Sequence, residues 1–198
     1  MAELGKLEYY LLAINVIGAL VYLINMLLYR HTARGQIDVV VTIVSLLGGS
    51  AGMLLMILFF DRKAEKENMM SRVFIICIFV IQVIVLLIFK GHHAEHFTFA
   101  FWKFFAEHRI LLIYLGVINL VTFIVFAIDK ANARANRSRI RIVTLLGLSF
   151  AGGSVGGLIS MYLFRHKTQK DYFTVGMPLI IVTQIVVLFY VMNAGWYS

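Results

Sequence analysis

The chain has 198 residues, of which 61% are hydrophobic and only 14% charged, with a net charge of +8. An average soluble domain carries about a quarter charged residues, so a single soluble globule is excluded as a home for this much apolar surface. The excess of basic residues does not point to nucleic acid, because these residues sit in short segments at the ends of long apolar runs and no soluble module is left to do the binding.

The first apolar run, Leu7 to Leu28, lacks a convincing small-residue cleavage site and is long enough to span a bilayer, so it reads as a first transmembrane helix rather than a leader. Five more follow, at 39 to 60, 73 to 89, 110 to 128, 142 to 164 and 172 to 192. Helices are required because hydrocarbon offers no water to backbone polar groups. The connections Arg30 to Asp38, Asp61 to Arg72, Asp129 to Arg141 and Arg165 to Asp171 are short and polar. Cys77, the only cysteine, can form no internal disulfide and reads as a packing residue.

The segment from Lys90 to Arg109 is longer. Phe97, Phe101, Phe104 and Phe105 recur there at helical spacing beside Trp102, which predicts an amphipathic helix in the membrane interface. His92, His93, Glu95 and His96 stand ahead of it, but a linker position without cysteine favours a polar turn over a metal site. No metal or other cofactor is expected.

A shift of 104 positions superimposes Ile14-Asn15 on Ile118-Asn119, Arg30 on Arg134, Ser45 on Ser149, and Gly48-Gly49-Ser50 on Gly152-Gly153-Ser154. The register continues through Gly52 on Gly156, Lys63 on Lys167 and Lys66 on Lys170, and a two-residue slip brings Gln82 onto Gln184. This predicts a duplication: a three-helix repeat at 1–89, an interfacial linker at 90–109 and a second repeat at 110–198. Three crossings per repeat is an odd number, so the expected fold is an all-α integral membrane protein of six transmembrane helices arranged as two inverted repeats. In that topology the basic cluster after the fourth span (Lys130, Arg134, Arg137, Arg139, Arg141) and the one after the fifth (Arg165, His166, Lys167, Lys170) face opposite sides of the membrane.

The stretch from Asp129 to Phe173 resembles the bacterial membrane family catalogued as domain of unknown function 1294. The resemblance rests on Asp129-Lys130, Ala133, Arg139-Ile140, Gly152-Gly153, Gly156, and Arg165-His166-Lys167-Thr168 with Lys170 and Phe173. It implies a bacterial membrane protein and supplies no activity. Where the family pattern has a glutamate after Arg-Ile, this chain has Arg141, while the first half keeps an acid at Asp38; the first half in turn replaces Arg-His-Lys-Thr with Asp61-Arg62-Lys63-Ala64.

Three functions follow as expectations. The first is a transporter or channel for an anionic solute or lipid, with a pathway between the repeats lined by Asn15, Gln82, Asn119, Gln184, Ser50 and Ser154. The alternative is a non-catalytic module that binds anionic headgroups or scaffolds a partner, with Lys130, Arg134, Arg139, Arg165, His166, Lys167 and Lys170 as the anion contacts. A lipid-modifying enzyme is the third, and it needs His166, Lys167 and Asp129 or Asp38 to converge. Gly48, Gly49, Gly52, Gly152, Gly153 and Gly156 place small residues on a helix face and read as packing of the second span against the fifth, or as helix breaks near the midplane. The expected partners are the bilayer, its anionic headgroups and a second copy of the chain, and the expected location is a bacterial inner membrane.

Overall fold

The computed structural model describes residues 5–31, 38–92 and 97–194. Among these residues there is helix and no strand. Six helical segments are long and apolar enough to cross a membrane: Lys6–His31, Asp38–Phe59, Met69–Phe89, Arg109–Arg134, Ile142–Leu163 and Asp171–Asn193. Their outward faces carry Leu, Ile and Val, with Ile110 85% exposed, as lipid-facing helices require. The chain forms two compact units, Met1–Val83 and Ile84–Ser198, so that the division falls inside the third apolar helix.

The first unit begins with α1 (Lys6–His31). The next apolar segment is not one helix. α2 (Asp38–Val44) and α3 (Ser50–Phe59) are separated by a break at Ser45–Gly49, in which Gly48 has φ +117°. An L side chain rarely adopts that conformation, and glycine adopts it without steric cost. α4 (Met69–Phe89) completes the unit.

The direction of α3 follows from its contacts with α1. Tyr10 meets Leu47 and Asn15 meets Gly52, both 37 residues on, and Tyr22 meets Asp61. Partners that advance together mark parallel helices, so α3 runs alongside α1 in the same direction. α2 must therefore bring the chain back first. The two ends of the segment lie near each other: Asp38 accepts from Ser71 Oγ at 3.2 Å, while the next residue, Arg72, pairs with Asp61 at 3.2 Å. The result is a hairpin with its tip at Gly48, packed on Tyr22, Met26 and Ile75.

The second unit repeats the arrangement. After the short helix α5 (Phe101–Glu107) come α6 (Arg109–Arg134), α7 (Ile142–Leu148), a break at Ser149–Gly153 with Gly152 at φ +116°, and α8 (Ser154–Leu163). α9 (Asp171–Thr174) leads into α10 (Gly176–Asn193), where Pro178 sits in the first turn and removes no helical hydrogen bond. Tyr114 meets Ala151, Asn119 meets Gly156, Phe123 meets Ser160 and Asp129 meets His166, each pair 37 residues apart. α8 is thus parallel to α6, as α3 is to α1.

Three expectations change here. The fifth apolar segment does not carry the chain between opposite ends of its unit; a straight helix of that length would separate its ends by about 33 Å, whereas both ends reach Asp129. The basic clusters on either side of it therefore lie together, not on opposite sides. The reason is the glycine break, which hydropathy counts as continuous apolar helix. The third concerns the linker: its helix covers only Phe101–Glu107, because His108 leaves helical geometry (φ −110°, ψ 57°), and Phe97 and Phe99 lie outside it, against Phe189. The Asn193 side chain fastens Thr98 there, its Oδ1 accepting from the Thr98 amide at 2.7 Å and its Nδ2 donating to the Thr98 carbonyl at 3.1 Å. His93, Glu95 and His96 lie outside the described residues, among which no His, Cys, Asp and Glu side chains are grouped to hold a metal.

Candidate functional site

Each hairpin has a tip and a mouth, and the residues that the sequence singles out divide between them. At the tip, a break within a long apolar segment frees backbone groups that an apolar setting cannot satisfy. In the second unit every carbonyl from Ser149 to Gly152 receives a side-chain donor. Gln184 Nε2 donates to Ser149 and Phe150 at 2.7 and 3.3 Å, the Tyr114 hydroxyl to Ala151 at 2.7 Å, and Asn119 Nδ2 to Gly152 at 2.8 Å. Asn119 Oδ1 accepts from the Gly156 amide at 2.7 Å, and Ser154 donates to Gln184 Oε1.

The first unit uses the matching residues. Gln82 Nε2 donates to Ser45 and Leu46 at 2.7 and 3.2 Å, Tyr10 to Leu47 at 2.7 Å, Asn15 Oδ1 accepts from Gly52 at 2.7 Å, and Ser50 donates to Gln82. Asn15, Ser50 and Gln82 therefore form one set and Asn119, Ser154 and Gln184 another, each engaged in fastening its own break. Tyr10 and Tyr114 belong with them; the same shift of 104 positions joins these two tyrosines and is the signal that finds them.

The glycines let the tips close. A Cβ on Gly52 or Gly156 would fall on the backbone carbonyl oxygen of Asn15 or Asn119, and one on Gly153 would fall on the Thr122 hydroxyl. Gly48 and Gly49 pack against Ile14. The small-residue face thus serves contact with the helix preceding each hairpin.

At the mouth of the second hairpin stands Asp129, on the last turns of α6 with its side chain fully buried. One carboxylate oxygen accepts from the Ile140 amide at 2.8 Å, and the other meets His166 Nε2 at 2.8 Å and Lys167 Nζ at 2.7 Å. Arg165 and Lys167 adopt left-handed backbone conformations, φ +45° and +63°, and so deliver two successive side chains to one acid. Each such residue costs on the order of 1 kcal/mol. The Lys167 ammonium also lies 5.0 Å from the centre of the Phe173 ring, a cation–π contact. Burial pushes the Lys167 ammonium below its ordinary value, against the opposing pull of the Asp129 carboxylate. His166, Lys167 and Asp129 therefore converge, whereas Asp38 belongs to the other mouth.

Beside this buried centre lies an open cleft lined by Lys130, Arg134, Leu163, Phe164 and Arg165, continued along α6 by Ala127 and Ala131. Lys130, Arg134 and Arg165 make no ion pair among the described residues. Cations against an apolar wall form a surface suited to an anion that carries a hydrocarbon part. Arg139 and Lys170 stand outside this lining.

Residues 119–173, which hold Asn119 and Ser154 of the tip and Asp129 with its partners, match a family model described as "Protein of unknown function (DUF1294)". The uncharacterized protein YsdA of Bacillus subtilis (strain 168) is 35% identical to the chain over 79 residues, which are 40% of this chain and 89% of that protein. The chain belongs to the DUF1294 family. The DUF1294 match contains the whole second hairpin with both ends of its mouth, and YsdA is less than half as long as this chain. No solved structure matches the chain.

Proposed function

We propose that this DUF1294 protein is a multi-pass membrane protein that binds anionic lipid headgroups at the mouth of its second hairpin. The observation that carries this reading is the cleft of Lys130, Arg134 and Arg165 against Leu163 and Phe164. Guanidinium groups pair with phosphate oxygens in bidentate fashion, and the apolar wall accompanies the acyl chain. His166 and Lys167 serve indirectly, by holding the segment after α8 in place. The Asp129 carboxylate holds them through one oxygen and the Ile140 amide through the other.

The reading includes a duplicated unit. Matching tip hydrogen bonds in both units support it, as does a relative of less than half the length. Two crossing helices with a hairpin between them make an even count, so each unit starts and ends on one face of the membrane and the parity argument for inverted copies loses its basis.

A second reading is transport of the bound anion, favoured by the broken helices at membrane depth. The amides and hydroxyls at each tip are committed to backbone groups, so such a path would run along the hairpin faces and not through the tip. Binding is tested by measuring retention of phosphatidylglycerol against phosphatidylcholine by the detergent-purified protein. Preferential retention that K130Q/R134Q/R165Q abolishes is the expected result, and equal retention of both lipids contradicts the reading. Lipid or phosphate flux in proteoliposomes, absent with that triple variant, separates transport from binding.

A further inference from the structure

The first unit carries the same cleft with its charges rearranged. Moving back 104 positions takes Arg134 to Arg30, Phe164 to Phe60, Arg165 to Asp61, Asp129 to Asn25 and Phe126 to Tyr22. In the second unit the acid stands on the helix and the bases on the segment after the hairpin. In the first, the acid stands on that segment and a base on the helix. The substitutions are consistent with one another: the hydroxyl of Tyr22, absent from Phe126, bonds the relocated acid at 2.7 Å.

Asp61 is buried and surrounded by donors. Arg30 and Arg72 pair with it at 3.5 and 3.2 Å, and Asn68 Nδ2 donates to it at 3.0 Å. The lining of the cleft at this place includes Arg30, Phe60, Asp61, Arg62, Lys63 and Glu65. Arg30, the counterpart of Arg134, is thus already occupied by a carboxylate of the same chain. Carboxylate and phosphate present the same feature to a guanidinium, anionic oxygens in a plane that its fork can meet. A fixed negative charge in poorly screened surroundings also repels a second anion.

We propose that the protein has a single site for a phosphate-bearing headgroup, formed by Lys130, Arg134 and Arg165 in the second unit, and that Asp61 acts as a built-in ligand closing the equivalent place in the first. This rests on the headgroup reading above and adds to it a stoichiometry and a cause. Arg165, the residue that replaces Asp61 at the second mouth, both removes the internal competitor and supplies a cation, alongside Lys130, which stands where the first unit has Met26.

Native mass spectrometry of the full chain, titrated with phosphatidylglycerol, reads the stoichiometry. One lipid is expected on the wild type, at least tenfold weaker binding for R134Q/R165Q, and a second bound lipid for D61N. R165D, which sets a carboxylate beside Arg134 as Asp61 stands beside Arg30, is expected to lose the lipid while keeping its helicity; this variant decides the question if D61N does not fold. Two lipids on the wild type, or unchanged stoichiometry in both D61N and R165D, overturns the proposal and leaves the headgroup reading intact. A wild type that binds no phosphatidylglycerol overturns the headgroup reading itself. A parallel titration with inorganic phosphate distinguishes the sources: displacement of the lipid at equal concentration assigns the site to a free anion, and retention assigns it to the headgroup.

Discussion

Ile140 and His166 share the Asp129 carboxylate, one on each oxygen, although an apolar segment of 22 residues separates them along the chain. That sharing is possible only if the segment turns back on itself. It makes Asp129 a clasp at the hairpin mouth, with Lys167 as its counter-charge. The tip has its own fastening through Asn119, Tyr114 and Gln184. Mouth and tip are independent, so each can be tested alone.

Removing the clasp leaves Lys167 buried without its acid. Asp129→Asn is expected to cost about 3 kcal/mol, the range for breaking a buried pair. His166→Asn removes one hydrogen bond and is expected to cost about 1 kcal/mol. Thermal unfolding followed by circular dichroism in one detergent gives both values, and equal losses would argue against Asp129 as the shared anchor.

Close approach of α8 to α6 depends on Gly156. Gly156→Ala puts a methyl group on the Asn119 carbonyl, and a loss of about 2 kcal/mol is expected from the forced shift. Gly116 in α6 has nothing within 4 Å of its would-be Cβ. Gly116→Ala is therefore expected to be neutral or to stabilise by about 0.5 kcal/mol, through helix propensity. The same melts compare them, and a Gly156→Ala protein as stable as Gly116→Ala would contradict the packing.

The tip carbonyls are the most exposed to loss of a donor. Gln184→Leu leaves Ser149 and Phe150 bare in an apolar setting, with an expected cost of about 2 kcal/mol. Hydrogen exchange of amides 150–156 is expected to accelerate in this variant while the rest of α6 keeps its protection.

Lys167 also gives stability a pH dependence of known sign. Its folded value is depressed, so below the ordinary lysine range, about 10.4, the unfolded chain holds this proton more tightly than the folded one. Stability contributed by this group therefore rises as pH rises through the window just below that value. The melting temperature of the wild type relative to Lys167→Met is expected to climb as pH rises toward the ordinary lysine range, about 10.4, and a falling difference would contradict the burial argument.

Apolar run length located the six helical segments to within a few residues, because hydropathy reports what lipid demands of a helix. The shift that aligns Asn15 with Asn119 and Gln82 with Gln184 found residues that do equivalent work. Direction was not legible. Hydropathy treats Gly48 and Gly152 as ordinary members of an apolar run; the Gly-Gly-Ser pattern allows a helix break there, which the structure bears out, but the reversal of direction is not written in it. The charge of Asp129 suggests the end of a span, but α6 continues to Arg134 and keeps the acid buried. The role of Asp61 was hidden for a further reason, since its partners Tyr22, Arg30, Asn68 and Arg72 come together only when the hairpin closes.

The hairpin is tested most directly by accessibility on its two flanks. In a Cys77→Ser background, single cysteines at Ser138 and Gln169 can be labelled with a membrane-impermeant maleimide in sealed vesicles of known orientation. Both are expected to react from the same side of the membrane. Reaction from opposite sides would mean that residues 142–163 cross it, and the clasp at Asp129 could not exist.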